Sequence, residues 1–474
     1  MNPITDEHFS ISGQHIKLSQ FKYKLPEERI ALYPADCRDE SRLLVLHKKT
    51  GDIEHRIFKE VINYFDEKDV FVMNDSKVFP ARLYGNKEKT NAKIEVFLLR
   101  ELNEEFRLWD VLVDPARKIR IGNKLYFGED NSMVAEVIDN TTSRGRTLRF
   151  LYDGPHDEFK KALYDLGVAP LPDDFRRLRK EEPEDLQNFQ TYFAKKEGSV
   201  TASFAGLHFT RELMKRMEIK GIETAFVTMH TGLGCFREID VEDLTKHKMD
   251  SDLISVDTEA VQTINKAKAE GRRICAVGTA VQRVLETAAL TGGMLKEYDG
   301  WTSKFIFPEY DFHVANSMIA NFYMPYSTML MLTAAFGGYE NVMNAYNVAL
   351  KEGYRFGGAA VIVTVQRCFI GGGGADHGDL FIRGKRQNTV IFQKYNAFLC
   401  NSQRSFRILT KREFSDQFAR QHVCTDGKRV HFSHIFLLFL FFVCFGYYKG
   451  NCTMDIFNSN RLIALSVFTV KCPR

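Results

Sequence analysis

The sequence predicts an α/β protein interrupted by a small all-β module, and three observations carry that prediction. Strand-like and helix-like periods alternate through residues 1–77 and 155–356. Between 78 and 154 six short runs, "ARLYG", "KIEVFLLREL", "RLWDVLVD", "NKLYFGED", "MVAEVID" and "TLRFLYDG", follow one another with turn residues and no helical period. That spacing predicts an antiparallel barrel or sandwich inserted into the larger domain. At 474 residues the chain also exceeds what one hydrophobic core usually covers, so more than one domain is expected.

In chain order, "DVFVMND" is an apolar, β-branched run that stops at Asn74 and Asp75, both turn formers, and predicts a strand ending there. Thr210 is placed to cap a helix over "RELMKRMEIK", with Gly221 as its C-terminal stop and "IETAFVTMH" as the next strand, closing at His230. "RRICAVG" predicts a strand passing at Gly278 and Thr279 into the helix "AVQRVLETAA". "SKFIFPEYDF" predicts another strand, followed by the loop "NFYMPYS" and a helix over 328–336 with Ser327 as N-cap.

Charge divides the chain. Residues 357–474 hold 16 Lys and Arg against 6 Asp and Glu, whereas residues 1–356 hold 49 against 55. A polyanion on the body therefore needs a local basic patch rather than a global field. "DPARKIRIGNK" and "DFRRLRKEE" supply candidates: Arg117, Lys118, Arg120, Arg176, Arg177, Arg179 and Lys180. Six of the nine cysteines lie from Cys368 onward, and no spacing suggests zinc or a disulfide framework, so a reducing cytoplasm is expected. "MNPITDEHFS" lacks a signal-peptide core, and the apolar run over 435–448 falls short of the roughly 20 residues that span a bilayer. No membrane role, no metal and a monomer are the expectations.

"GSVTASFAGLHFT" places His208 beside a helix start, and a helix start lies at the same rim as the end of the strand that follows it. His208, His230, Asn74, Asp75, Gly278 and Thr279 are thereby expected around one crevice, at the edge of an α/β sheet where ligands bind. Each has a plain structural alternative: cap, packing group, tight turn or Asx turn. Neither G-x-G-x-x-G after a strand nor G-x-x-x-x-G-K-[ST] occurs, which argues against a common dinucleotide or phosphate-loop enzyme.

The blocks "YKLPEERIALYPADCRDESRLLVL", "VFVMNDSKVFPARLYG", "NFQTYFAKKEGSVTASFAGLHFT", "VTMHTGLGCFR", "ICAVGTAVQRVLE" and "NFYMPYSTMLML" resemble, in order, the S-adenosylmethionine:tRNA ribosyltransferase-isomerases of queuosine biosynthesis. The resemblance implies a barrel-like α/β main domain interrupted by a small antiparallel β-barrel. It implies S-adenosylmethionine as ribosyl donor and, as acceptor, a tRNA carrying 7-aminomethyl-7-deazaguanine at the wobble position. Epoxyqueuosine in tRNA, adenine and methionine are the implied products. The sulfonium acidifies the neighbouring ribose carbon, so a base and an acid are needed, and histidine near neutrality suits either task. His208 and His230 are the candidates, with Asp75 as orienter or rival base. Arg38, Arg42 and Arg283 are candidates for a carboxylate or phosphate, Glu286 for the sulfonium or amine, and Ser41, Asn74, Arg82, Thr279 and Asn321 complete the expected binding set.

Three departures stand out. Ala202, Ser203 and Phe204 occupy the place of the family's Ala-Pro-Thr, and Tyr323 and Tyr326 replace a histidine and a lysine. After Phe356 the family's closing Tyr-Gly-Asp-Ala-Met-like block is missing. Residues 357–474, from "GGAAVIVTVQRCFIGGGGADHG" through "FLLFLFFVCFGYY", read as an atypical, poorly ordered tail or a translated frameshift. Loss of the last strand is expected to remove a pocket wall and expose a sheet edge. The alternative function is accordingly a catalytically impaired tRNA-binding relative. A methyltransferase is disfavoured because no glycine-rich first turn is present.

Overall fold

A computed structural model describes residues 16–365, apart from 233, 235–237 and 358–359, together with four short strands between 381 and 471. Two compact units are present, Met1–Cys368 and Phe369–Arg474.

The first unit is built on a nine-stranded mixed sheet. β1 (Arg42–His47), β2 (Ile53–Ile57) and β3 (Val70–Asn74) come from the N-terminal segment. A short β4 (Ser76–Val78) then leads into β5 (Arg82–Lys87), β6 (Lys93–Asn103), β7 (Leu108–Asp114), β8 (Lys124–Phe127), β9 (Met133–Asn140) and β10 (Gly145–Leu151). These last six close into an antiparallel barrel in the order β10-β7-β6-β5-β8-β9. Closure removes every sheet edge, and alternate residues such as Val96, Val111, Val113, Leu125 and Phe127 fill the interior.

The chain returns through α1 (His156–Leu166), α2 (Asp173–Leu178), α3 (Asp185–Asn188) and β11 (Lys196–Ser199), which pairs with β4. α4 (Arg211–Ile219) starts where Thr210 accepts the Leu213 N–H, the cap the sequence predicts. β12 (Glu223–His230), β13 (Asp252–Val256), α5 (Thr258–Ala269), β14 (Ile274–Val277), α6 (Thr279–Ala288), β15 (Tyr298–Thr302), β16 (Ser317–Asn321), α7 (Thr328–Gly337), α8 (Tyr339–Lys351) and β17 (Ala360–Val365) follow. Ser327 caps α7 through the Leu330 N–H, again as read from sequence.

The sheet order is β15-β13-β12-β3-β14-β16-β17-β1-β2, with β12, β3, β14 and β16 mutually parallel. Both faces are covered, so its central strands are apolar on both sides. Val70 and Val72 enter the core under the C-terminal helices, while Phe71 and Met73 enter the core against α4.

Two expectations change. "SKFIFPEYDF" forms no strand: Glu309 takes a φ of +71°, and the Glu286 carboxylate accepts the His313 and Val314 N–H groups. Its aromatic residues Phe305, Phe307, Tyr310 and Phe312 pack on the core as a loop, so the apolar pattern reports burial and not extension. The missing last strand is also not missing. "AVIVTV" forms β17 between β16 and β1, antiparallel to one and parallel to the other, and buries Val361, Ile362, Val363 and Val365. The body therefore continues past Phe356, and no edge opens at that position. A run of β-branched residues supplies the pairing and burial whatever its exact letters.

In the second unit Phe381–Arg383 pairs with Thr389–Ile391 and Thr453–Phe457 with Val467–Lys471. "GGGGADHG" and the apolar run over 435–448 lie outside the described residues. No helix among the described residues is long and apolar enough to cross a membrane.

One feature of α6 is costly. Gln282 is fully buried, and neither its amide nitrogen nor its oxygen has a hydrogen-bond partner among the described residues. An unsatisfied buried polar group costs about 1–3 kcal/mol. Gln282→Met, similar in volume and apolar, is therefore expected to stabilise the body by about that amount. A denaturant midpoint unchanged or lowered in the variant would contradict this.

Candidate active site

The carboxyl ends of the four parallel strands share one rim, which places His230, Asn74, Gly278 and Asn321 along a single edge. Gly278 makes the turn from β14 to α6 at a φ of +99°, a conformation that glycine adopts without a Cβ penalty. Over part of this rim lies a cavity of about 830 Å³. Thr231, Gly278, Thr279 and Asn321 form its strand-end floor; Tyr23, Phe175 and Phe204 stand among its walls, and Tyr326 and Ser327 belong to the turn that starts α7. That volume lies in the range of pockets for drug-sized ligands.

Of the sequence-predicted residues, Thr279, Arg283 and Asn321 line the cavity, and the others do not. His208 is 2 % exposed, behind the floor. Its Nδ1 lies 3.0 Å from Ser41 Oγ and 3.2 Å from the Arg38 carbonyl, and its Nε2 lies 3.2 Å from Asn321 Nδ2. A carbonyl only accepts and an amide nitrogen only donates, so the network assigns a neutral ring protonated at Nδ1. Burial pushes its pKa down to about 4, only partly offset by the Arg38 carbonyl. His208 therefore orients the Asn321 amide from behind, with both ring nitrogens engaged. The imidazole beside the Gly-Leu turn is a strut for a strand-end asparagine.

His230 faces the opposite side of β12 from the cavity-lining Met229 and Thr231. Its Nδ1 is 3.0 Å from Ser76 Oγ, and its half-buried ring rests on Gly198, where a Cβ would come within 2.8 Å of the ring. Burial lowers its pKa, and the neighbouring Asp75 carboxylate acts in the other direction. The Asp75 carboxylate accepts from Thr228 Oγ1 at 2.7 Å, and its carbonyl accepts the Lys195 and Lys196 N–H groups. Asn74 ties β3 to β12: Oδ1 accepts the Met229 N–H and Nδ2 donates to the Met229 carbonyl, both at 3.0 Å. The two histidines thus share the rim, but neither imidazole opens into the cavity.

The expected anion binders are spent internally. Arg38 donates to the carbonyls of Gln187, Asn188 and Gln190. Arg42 donates to the Glu352 carbonyl and lies 3.7 Å above the Tyr354 ring. Arg82 pairs with Glu95 and reaches the Leu171 carbonyl, joining barrel to body. Arg283 is buried against Asp252 at 2.6 Å and donates to the Lys304 carbonyl at 3.0 Å, so it shapes the cavity wall. Glu286 accepts from Tyr310, His313 and Val314 and holds that loop. The second basic cluster is likewise committed: Arg176 to Glu95 and Glu181, Arg177 to Asp174, Arg179 to Asp185. Arg117, Lys118 and Arg120 on the barrel are exposed.

Sequence reasoning missed Tyr23, Phe175 and Lys304 as cavity residues. They come from separate segments, and no local spacing marks them. Phe204, Tyr323 and Tyr326 were visible only as departures from a pattern, and all three prove to line the cavity. Tyr323 Oη sits 3.4 Å from Thr279 Oγ1 and accompanies it on the floor. Among the described residues Glu101, Glu104 and His156 bring one ligand atom each, two carboxylate and one imidazole, within 4.8 Å of one another on the barrel side, and none of them lines the cavity.

A mixed sheet covered on both faces, interrupted by a closed barrel and hollowed at its strand ends, defines a two-module α/β enzyme. The profile of the family described as Queuosine biosynthesis protein matches residues 18–359, and the chain belongs to that family. The S-adenosylmethionine:tRNA ribosyltransferase-isomerase of Phocaeicola vulgatus is 73 % identical over 342 residues, 72 % of this chain and 97 % of that protein. Proteins of the same name from Bacteroides fragilis and Flavobacterium psychrophilum are 72 % and 59 % identical, with the same shares covered. The crystal structure of S-adenosylmethionine tRNA ribosyltransferase from Thermotoga maritima is 33 % identical and covers 73 % of this chain and 99 % of that one, with a TM-score of 0.41.

Proposed function

We propose that the chain transfers and isomerises the ribosyl group of S-adenosylmethionine onto 7-aminomethyl-7-deazaguanine at the tRNA wobble position. Epoxyqueuosine forms in the tRNA, and adenine and methionine leave. The observation that carries this reading is the match to relatives bearing that enzymatic name along nearly their whole length. The reaction needs no metal in this reading, and a cytoplasmic monomer performs it.

The cavity at the strand ends receives the sulfonium donor, with Thr279, Asn321 and Tyr323 as its polar floor. His208 acts through Asn321 as a positioning residue. Of the two histidines, His230 keeps a half-buried ring with Nε2 uncommitted among the described residues, and it is the proton-transfer group we assign, acting from the rim beside the cavity on the substrate that reaches over it, with Asp75 as its electrostatic support. The impaired-relative alternative loses its motive, because β17 fills the sheet position whose absence suggested it.

The deciding experiment incubates the protein with S-adenosylmethionine and tRNA bearing the aminomethyl base and follows free adenine by chromatography. Adenine and methionine are expected; S-adenosylhomocysteine would reveal a methyltransferase instead. In the same assay His230→Ala is expected to slow adenine release by roughly 10²–10⁴-fold, the usual contribution of one proton transfer. Unchanged turnover would remove His230 from the chemistry.

A further inference from the structure

The mouth of the cavity carries a residue that the fold holds at a conformational cost. Tyr326 has a φ of +61°, in the left-handed region that a bulky side chain rarely enters. Such strain persists only when the surroundings impose it, and here they do. The Tyr326 N–H donates to the Phe21 carbonyl at 3.2 Å, and Ser327 closes the same turn by donating to the Met324 carbonyl and capping α7. Tyr326 is 39 % exposed and lines the cavity, and its ring has no stacking, cation–π or hydroxyl partner among the described residues. Lys22, next in the chain to the residue that fixes Tyr326, lines the same mouth, is exposed, and makes no ion pair among the described residues. The other basic groups lining the cavity are engaged: Arg177 is paired with Asp174, Arg283 with Asp252, and Lys304 donates to Tyr310 Oη at 3.4 Å.

A rigid, unpartnered aromatic face beside a free ammonium group, at the entrance of a site for a base, fits an unpaired nucleotide: the base stacks on the ring and its phosphate meets the cation. We infer that Tyr326 is a stacking platform for an RNA nucleotide flanking the one that enters the cavity, with Lys22 binding the adjoining phosphate. The inference rests on the tRNA reading above and adds where the strand is gripped. It also gives the tyrosine found in place of the family's lysine a role of its own: one cationic contact is exchanged for a stacking surface, with Lys22 left to meet the phosphate.

Binding of a fluorescently labelled anticodon stem-loop RNA to the full-length chain tests it, by anisotropy across a salt series. Tyr326→Ala is expected to weaken binding roughly 5- to 150-fold, the equivalent of one lost base stack, while Tyr326→Phe keeps the affinity. Lys22→Gln is expected to lower the salt slope by about one unit. Tyr326→Gly separates stacking from folding: it relieves the backbone, raises the melting temperature, and still binds RNA as weakly as the alanine variant. Equal affinity of wild type and Tyr326→Ala overturns the inference, as does failure of the wild type to bind the stem-loop. Wild type that binds RNA through Tyr326 yet releases no adenine leaves the inference standing and sinks the proposed reaction instead.

Discussion

Arg283→Met is expected to destabilise the body by about 3–5 kcal/mol, because it strands a carboxylate that the fold has removed from water. Asp252 is 2 % exposed; one oxygen accepts the Gly232 N–H at 2.8 Å, and the other meets Arg283 at 2.6 Å. Without the guanidinium, that charge must be neutralised or solvated, and either distorts the β13-β15 edge of the sheet. Arg283 also donates to the Thr302 and Lys304 carbonyls, which seat the loop forming one cavity wall. Arg283→Met combined with Asp252→Leu removes both charges together and is expected to recover most of the loss, since a buried pair replaced by apolar groups is often near neutral. Urea unfolding of the two single variants and the double variant measures the coupling. A double variant no more stable than Arg283→Met would show that the cost arises from packing rather than from the orphaned charge.

The second large effect concerns His208, and it is a dependence on pH. Its folded-state pKa of about 4 lies below the ordinary value of 6.5, so the native state holds a neutral ring that the unfolded chain protonates first. Stability from this group is therefore fully present above pH 6.5 and is lost as the pH falls from 6.5 towards 4, where the native ring also takes a proton. The loss over that window amounts to roughly 3 kcal/mol. Unfolding free energy measured between pH 7 and 4 is expected to show this decline in the wild type, and a smaller one in His208→Gln. Parallel curves for the two proteins would contradict the assignment of a neutral, buried imidazole. In the adenine assay His208→Ala is expected to cost about 10²-fold through misplacement of Asn321, without moving the acidic limb of the pH profile. A shift of that limb would return His208 to the role of proton donor or acceptor.

Much of this fold was legible in the sequence because local physics decided it. The six short runs between residues 78 and 154 carry a period of two and turn residues at each end, which admits few outcomes besides antiparallel pairing; the tertiary structure chose a closed barrel over a sandwich. Thr210 and Ser327 announce helix starts by chemistry that acts over three residues. The common rim of His230, Asn74 and Gly278 follows from strand direction alone, whereas Asn321 joins it because the segment read as a loop start ends β16, paired beside β14. "SKFIFPEYDF" misled because alternating apolar residues serve a buried loop as well as a strand, and the choice fell to the distant Glu286 carboxylate that satisfies the loop's N–H groups.

What the residue string determined by itself was the alternation of strands and helices, the inserted run of short strands, and the edge of the sheet at which polar side chains gather. Only the tertiary structure decided which of those side chains face the cavity. Side-chain direction depends on which face of β12 is buried and on partners far along the chain, 113 residues apart for Asn321 and His208 and 31 for Arg283 and Asp252. A histidine or arginine carries the same letter whether its donors meet a ligand or a backbone carbonyl, and that difference is settled by packing, which short-range spacing does not encode.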